Sequence, residues 1–293
     1  MPIPRAQSAM EYLVTYGWAI IVILVAFSVL YEVGVFSTFT TTGGALPGSC
    51  KVYRPYGPGT QQLVTEQGVC NNEQPKSVGQ FSGGGSYDYA PIGIYFGGDN
   101  QLTASAWVYL TSSTSGPVFG VSDVPPCSGW DMPFLSAQGL TAYGYIWGQI
   151  GTYMPYTVPT SGWYNIAITY NPSGSGTGIF YVNGVQVGTE SGQYGASGAV
   201  DYWTTCIYGS NPTTSTNLNG QIANIQAYNA SLSANEIKQM YFEGVGGEPI
   251  NLQNLVAWWP LNGDTLDYSG NGNNGAPSGM SFSGTWASTY TPP

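Results

Sequence analysis

Histidine is absent from the 293 residues and charge is scarce: five Lys and Arg stand against fifteen Asp and Glu, and charged residues make up 7% of the chain. Without histidine, neither a Ser-His-Asp or Cys-His nucleophile system nor an ordinary zinc site can be assembled. A net charge of −10 with five scattered bases leaves no basic stripe to displace counterions from phosphates, which argues against nucleic acid as a partner. Cysteine is limited to Cys50, Cys70, Cys127 and Cys206, widely spaced and without a C-x-x-C pair, a poor set for holding a metal. In an exported domain an even number of cysteines reads as disulfides, so two bridges are expected. Three pairings exist. Cys50–Cys70 with Cys127–Cys206 is favoured, because the first bridge would clamp a turn-rich segment with little core, contributing about 3 kcal/mol through chain entropy.

What the chain has instead is glycine, proline and aromatic surface: 42 Gly, 20 Pro, 23 Tyr and 9 Trp. Apolar surface on this scale is not a disorder signature, and it suits many short strands joined by tight turns. The few paired charges also suit an extracellular surface that stays folded in acid, since protonating carboxylates removes little stabilisation.

The chain opens with a short basic segment and then a charge-free run, "LVTYGWAIIVILVAFSVLY", from Leu13 to Tyr31. As a helix this run spans about 28 Å, one hydrocarbon thickness. Ser8 and Glu11 fit the capping box that starts a helix, and "STFTTTGGALPGS" (Ser37–Ser49) reads as a linker behind it. The only processing site, Arg5-Ala6 before Gln7, lies ahead of the apolar run, so cleavage there leaves the helix on the mature protein. Expected boundaries are therefore a leader over 1–6, a hydrophobic helix over 7–36 and a linker over 37–49.

Beyond the linker, apolar residues recur with period two. "GWYNIAITY" (Gly162–Tyr170) places Tyr164, Ile166, Ile168 and Tyr170 on one face, and "GIFYVNGVQVGT" (Gly178–Thr189) is a hairpin turning at Asn183-Gly184. "TASAWVYL" (Thr103–Leu110) and "GQIANIQAYN" (Gly220–Asn229) read as further strands. "LSANEIKQMYFEG" then shifts to helical spacing, with Ser233 and Glu236 as a capping box and Gly244 as its stop. The expected fold is mainly β: a long N-terminal helix, then a sandwich with one short helix.

Two stretches resemble known families. Gln7, Ser8, Glu11 and Leu13, behind the basic-small junction at Arg5-Ala6, resemble the archaeal type IV pilin leader, or class III signal peptide. That resemblance implies cleavage between Ala6 and Gln7 by a prepilin peptidase, then handling by a membrane assembly machinery. The helices would pack as the core of a homopolymeric filament at the cell surface. Cleavage would place an α-ammonium on Gln7 at the mouth of an apolar bundle, where an unpaired charge costs several kcal/mol; Glu11 supplies the partner. The strand blocks, from "FSGGGSYDYAP" (Phe81–Pro91) to "NGQIANIQAYNASLSANEI" (Asn219–Ile237), resemble the LamG-like, concanavalin-type jelly roll.

The jelly roll is expected over 80–249, behind the cysteine-clamped segment 50–79. "LVAWWPLNGDTLDYSGNGNNGAPSG" (Leu255–Gly279) resembles a segment that usually precedes such a domain, so 250–293 is expected to supply permuted outer strands to the same sandwich. The family implies surface glycans as ligands, sometimes with calcium, and its wider fold hosts glycosidases. A retaining glycosidase needs two carboxylates about 5 Å apart, and no E-x-D-x-E or similar cluster occurs, so no enzyme is expected. Asp264, Asp267, Asn271 and Asn273 gather oxygens in a glycine-rich loop open to two readings, a calcium site or Asx turns that hold the loop. Asn229-Ala230-Ser231 is a glycosylation sequon. Exposed Tyr or Trp could stack on sugar rings, but alternation alone does not tell them from core aromatics. The rival to a filament subunit is a monomeric, membrane-anchored lectin.

Overall fold

The computed structural model describes residues 16–17, 19–26, 50–55, 61–66, 75–84, 86–91, 100–122, 131–146, 153–192, 202–205, 217–291 and 293. The chain divides into two compact units, Met1–Gly44 and Ala45–Pro293.

In the first unit, residues 16–17 and 19–26 are helical. The side chains of Ile20, Ile21, Val22, Ile23, Leu24 and Val25 are each 51–63% exposed, so the helix presents aliphatic surface all round. Among the described residues no helix is long and apolar enough to cross a membrane. The remainder of the expected 7–36 helix, the Ala6–Gln7 junction, Glu11 and the linker lie outside the described residues.

The second unit is a jelly-roll sandwich. It opens with a separate hairpin, β1 (Cys50–Pro55) against β2 (Gln61–Glu66). One layer of the sandwich runs β12 (Val185–Ser191), β11 (Thr177–Val182), β10 (Gly162–Asn171), β5 (Leu102–Leu110), β14 (Asn219–Tyr228). The free edge of β14 is shared by two short strands: β3 (Val78–Ser82) along its first half and β15 (Leu255–Trp259) along its second, with β16 (Ser281–Ser283) beside β3. The other layer runs β4 (Tyr89–Pro91), β13 (Tyr202–Thr204), β6 (Ser115–Ser122), β7 (Asp131–Gln138), β8 (Thr141–Tyr145), β9 (Tyr153–Thr157). One pair, Asn219 with Ser115, joins the two layers at a corner. β15 and β16 are the tail's contribution, and both pair within their own chain.

Alternation fills the space between the layers. Ala104, Ala106 and Val108 of β5, Ile166, Ile168 and Tyr170 of β10, and Phe180 of β11 meet Leu135 and Ala137 of β7, Ala142 of β8 and Met154 of β9. Gly144 lets the layers close over Phe180: a Cβ there would sit 2.5 Å from the Phe180 Cγ. The β11–β12 hairpin turns where Asn183 (φ 50°) and Gly184 (φ 72°) take the left-handed conformation of a two-residue loop.

The outer face of the first layer is covered as well. Helix α1, Ala234–Glu243, starts at Ser233, whose Oγ accepts from the Glu236 amide (3.4 Å) while Glu236 Oε2 accepts from the Ser233 amide (2.7 Å). It buries Ile237 and Met240 against Ala167, Tyr181, Tyr228 and Trp258. Beside it, the 3-10 turn Trp286–Thr289 and its neighbours set Trp286 and Tyr290 against Trp107, Trp163 and Val245. β5 is therefore buried on both faces, and its outward Thr103 and Ser105 are matched by polar partners. Thr103 Oγ1 donates to the Ala230 carbonyl at 2.6 Å, and Ser105 Oγ accepts from Asn165 Nδ2 at 3.2 Å.

Candidate functional site: the outer face of β7, β8 and β9

α1 and the tail cover β5, β10 and β14 of the first layer; in the second layer β7, β8 and β9 turn a face of their own away from the core. Since Leu135, Ala137, Ala142, Gly144 and Met154 point inward, the alternate residues of β7, β8 and β9 point out. Register sets them in rows. Tyr145 lies opposite Tyr153; Ser136, Tyr143 and Pro155 form the next row; Gln138, Thr141 and Thr157 form the third.

Tyr145 and Tyr153 stack with centroids 4.4 Å apart at 20°, and Tyr143 meets Tyr153 edge-on at 6.3 Å and 86°. Thr141 and Thr157 share a hydroxyl hydrogen bond of 2.8 Å. Burial, and then the neighbouring Tyr145, push the Tyr153 hydroxyl up to about 12. Burial, and then the Glu190 charge, raise Tyr145 too. Both phenols stay protonated across the ordinary pH range and act as donors as well as acceptors. Ser136 Oγ is buried there with no hydrogen-bond partner. Tyr145 and Ser136 are buried, so the accessible part of the face is Tyr143 and Tyr153, half-buried, with Pro155, Thr157 and Gln138 exposed beside them. Partly open rings edged by neutral polar groups suit an uncharged polyhydroxylated ligand. The rows hold no carboxylate pair and no activated nucleophile.

The loop open to a calcium or an Asx-turn reading is held by hydrogen bonds of its own side chains. Asp264 accepts from the Leu266 amide through Oδ1 (3.2 Å) and from the Tyr268 hydroxyl through Oδ2 (2.6 Å). Asp267 Oδ1 accepts from the Trp258 and Ser269 amides (3.0 and 2.8 Å), and its Oδ2 from Ser269 Oγ and the Asn273 amide (both 2.9 Å). Asn271 and Asn273 turn their amide nitrogens onto the Val256 carbonyl, each at 2.9 Å. These carboxylates accept from amides and hydroxyls of β15 and of the loop behind it, the bonding of Asx turns, and so hold the loop against β15. Among the described residues no group of three or more acidic or cysteine side chains could hold a metal.

Asn229 is exposed in the turn after β14, its amide tied to the Asn254 carbonyl at 3.0 Å. Cys50 opens β1, whereas Cys70, Cys127 and Cys206, and hence the disulfide pairing, lie outside the described residues. Sequence reading could not single out the tyrosine rows, because Tyr143, Tyr145 and Tyr153 alternate like any core strand. Only the partner layer decides which side of β8 is inward.

A profile of the "Concanavalin A-like lectin/glucanases superfamily" matches residues 82–238, more than half of the chain. The chain belongs to that superfamily. Among solved structures it is similar to a native heptameric SAP-like pentraxin from Limulus polyphemus, at 10% identity and a TM-score of 0.47 over 70% of this chain and 94% of that one. It is similar to a putative carbohydrate binding protein from Bacteroides ovatus, at 14% identity and 0.45 over 76% and 66%. Domains LG4-5 of the mouse laminin alpha1 chain give 13% identity and 0.39 over 58% and 46%. No curated protein matches the sequence.

Proposed function

We propose that the chain is a subunit of a type IV pilus-like surface filament, its N-terminal helix bundled in the core and its lectin-like jelly roll displayed outside for adhesion. The observation that carries this reading is the exposed aliphatic surface of residues 20–25. A helix that is apolar all round is stable only inside a bundle or a bilayer, and a contiguous apolar patch on one marks where copies or lipid pack. The Arg5-Ala6-Gln7 junction and Glu11 favour a bundle that follows a bilayer stage: a prepilin peptidase frees Gln7, membrane machinery extracts the helix, and Glu11 neutralises the new amine.

A membrane-anchored, monomeric carbohydrate-binding protein is the second reading. Superfamily membership and the tyrosine rows of β8 and β9 favour it. The two share a glycan-binding outer domain and differ in polymerisation. N-terminal sequencing of material sheared from cells separates them: filaments start at Gln7, whereas an uncleaved anchor keeps Met1 or Pro2. A glycan array probed with the same sheared material reads the ligand of the outer domain.

A further inference from the structure

Among the described residues one carboxyl group, that of Asp88, is shut off from solvent entirely. Asp88, just before β4, is 0% exposed. Its Oδ1 accepts from the Tyr89 amide at 2.9 Å, while its Oδ2 has no hydrogen-bond partner. The hydroxyl of Ser86, two residues earlier and also buried, has none either.

The backbone around Asp88 is fully engaged. Its amide donates to Thr205 Oγ1 (2.9 Å) and its carbonyl accepts from the Thr205 amide (3.0 Å). On the other side runs a strap from the tail, residues 275–278. Tyr87 and Ser278 exchange two backbone hydrogen bonds of 2.8 Å, and Ala276 donates to the Tyr89 carbonyl at 2.7 Å. Gly275 passes so close that a Cβ there would sit 2.7 Å from Asp88 Oδ2.

The described groups facing Asp88 are Tyr87 and Tyr89 from its own segment, Thr205 behind β13, and Thr265, Gly275 and Ala276 from the tail. None is charged at neutral pH. The tail's carboxylates, Asp264 and Asp267, are committed to Tyr268 and to the amides of Leu266, Trp258, Ser269 and Asn273. Burial pushes the Asp88 carboxyl up to about 7, against the pull of the Tyr89 and Ala276 amides. A neutral acid with one unmatched O–H costs far less in such a place than an unmatched charge.

We propose that Asp88 is a protonation latch for the C-terminal strap: as a neutral acid it lets residues 275–278 close over β4, and its ionisation loosens that closure. The inference stands on the sandwich alone and does not depend on polymerisation or on a glycan ligand. The folded-state value lies above the ordinary 3.8. The Asp88 contribution is therefore complete below 3.8, falls progressively as pH rises from there, and is gone once pH has passed about 7.

Thermal unfolding of the full chain at pH 5 and pH 8 tests the latch. The midpoint at pH 8 should be lower by about 5–10 °C, and Asp88→Asn, neutral at both, should flatten that difference. A difference that persists unchanged in Asp88→Asn overturns the proposal. Should that variant not fold, ¹³C titration of the wild-type carboxyl decides: a midpoint near 7 supports the latch and one below 5 overturns it. Hydrogen exchange locates the effect. At pH 8 the Ala276 and Ser278 amides should lose protection relative to Ile168 of β10; equal protection overturns the strap as the element released. Calcium alone, added at pH 8, should restore nothing. Recovery of the pH 5 midpoint would make Asp88 a cation ligand and overturn the latch.

Discussion

Asn224 sits at φ +48° within β14, in the irregularity between Ala223 and Gln226 where the register with β5 shifts. Its Oδ1 accepts from Trp258 Nε1 (2.8 Å) and Gln226 Nε2 (3.0 Å), and its Nδ2 donates to the Gly247 carbonyl (2.8 Å). Gln226 Oε1 in turn accepts from the Tyr228 hydroxyl at 2.6 Å. One side chain thus ties the bulge, the tail and the loop after α1 inside a buried region. Asn224→Ala strands buried donors and acceptors and puts a residue with no local hydrogen bond in the left-handed region. It should cost about 3 kcal/mol, read as a lower urea midpoint at unchanged slope. Tyr153 calls for the opposite separation. It is half-buried on the outer face, so Tyr153→Ala should cut retention on a glycan array at least about tenfold while leaving the sandwich cooperatively folded. Equal retention by the variant would remove β8 and β9 from the binding reading. Neither residue was readable beforehand: alternation gives sidedness along a strand but not which side is inward, and an Asn inside a strand pattern carries no sign of its partners.

Strands and turns were more open to reading than their surroundings. Period two in residues 162–170 matches a β10 whose Ile166, Ile168 and Tyr170 are fully buried, and Asn183-Gly184 turns as its chemistry requires. The Ser233–Glu236 box likewise starts α1. β5, like residues 165–170 of β10, is buried on both faces, so its alternation is one of size and polarity rather than of exposure. That second burial comes from α1 and the tail, which are distant in sequence and leave no local mark on β5. The tail is thus structural. It contributes Trp259 at 0% exposure and Trp286 at 2%, and it pairs with β14 and β3. Losing either indole costs about 3–5 kcal/mol, against a total of about 5–15 kcal/mol for a typical domain. A chain ending at residue 249 should therefore show no cooperative thermal transition and no near-ultraviolet circular dichroism. A transition at the full-length midpoint would mean the tail is decoration.

For the whole molecule, the decisive question is what covers the aliphatic surface of residues 20–25, and Glu11 gives access to it. In a bundle of cleaved helices every subunit brings one new ammonium on Gln7 into apolar surroundings, and each needs an acid. Removing that acid leaves an uncompensated charge per subunit, a penalty of several kcal/mol that repeats along the fibre and outweighs any packing gained. Glu11→Gln keeps size and hydrogen bonding but not charge, so filaments should be absent or sparse in sheared fractions while the precursor is still processed and membrane-held. The jelly roll, a separate compact unit, should keep its thermal midpoint in that variant. The same pairing should weaken as the amine loses its proton, whose ordinary value is near 8, so fibres should dissociate more readily at pH 10 than at pH 6. A monomeric anchor predicts neither effect: its helix meets lipid, its amine stays at the interface, and Glu11→Gln changes nothing that shearing can release. Normal filament yield from Glu11→Gln would therefore overturn the charge-pairing account. Sheared fibres that begin at Met1 would overturn it as well.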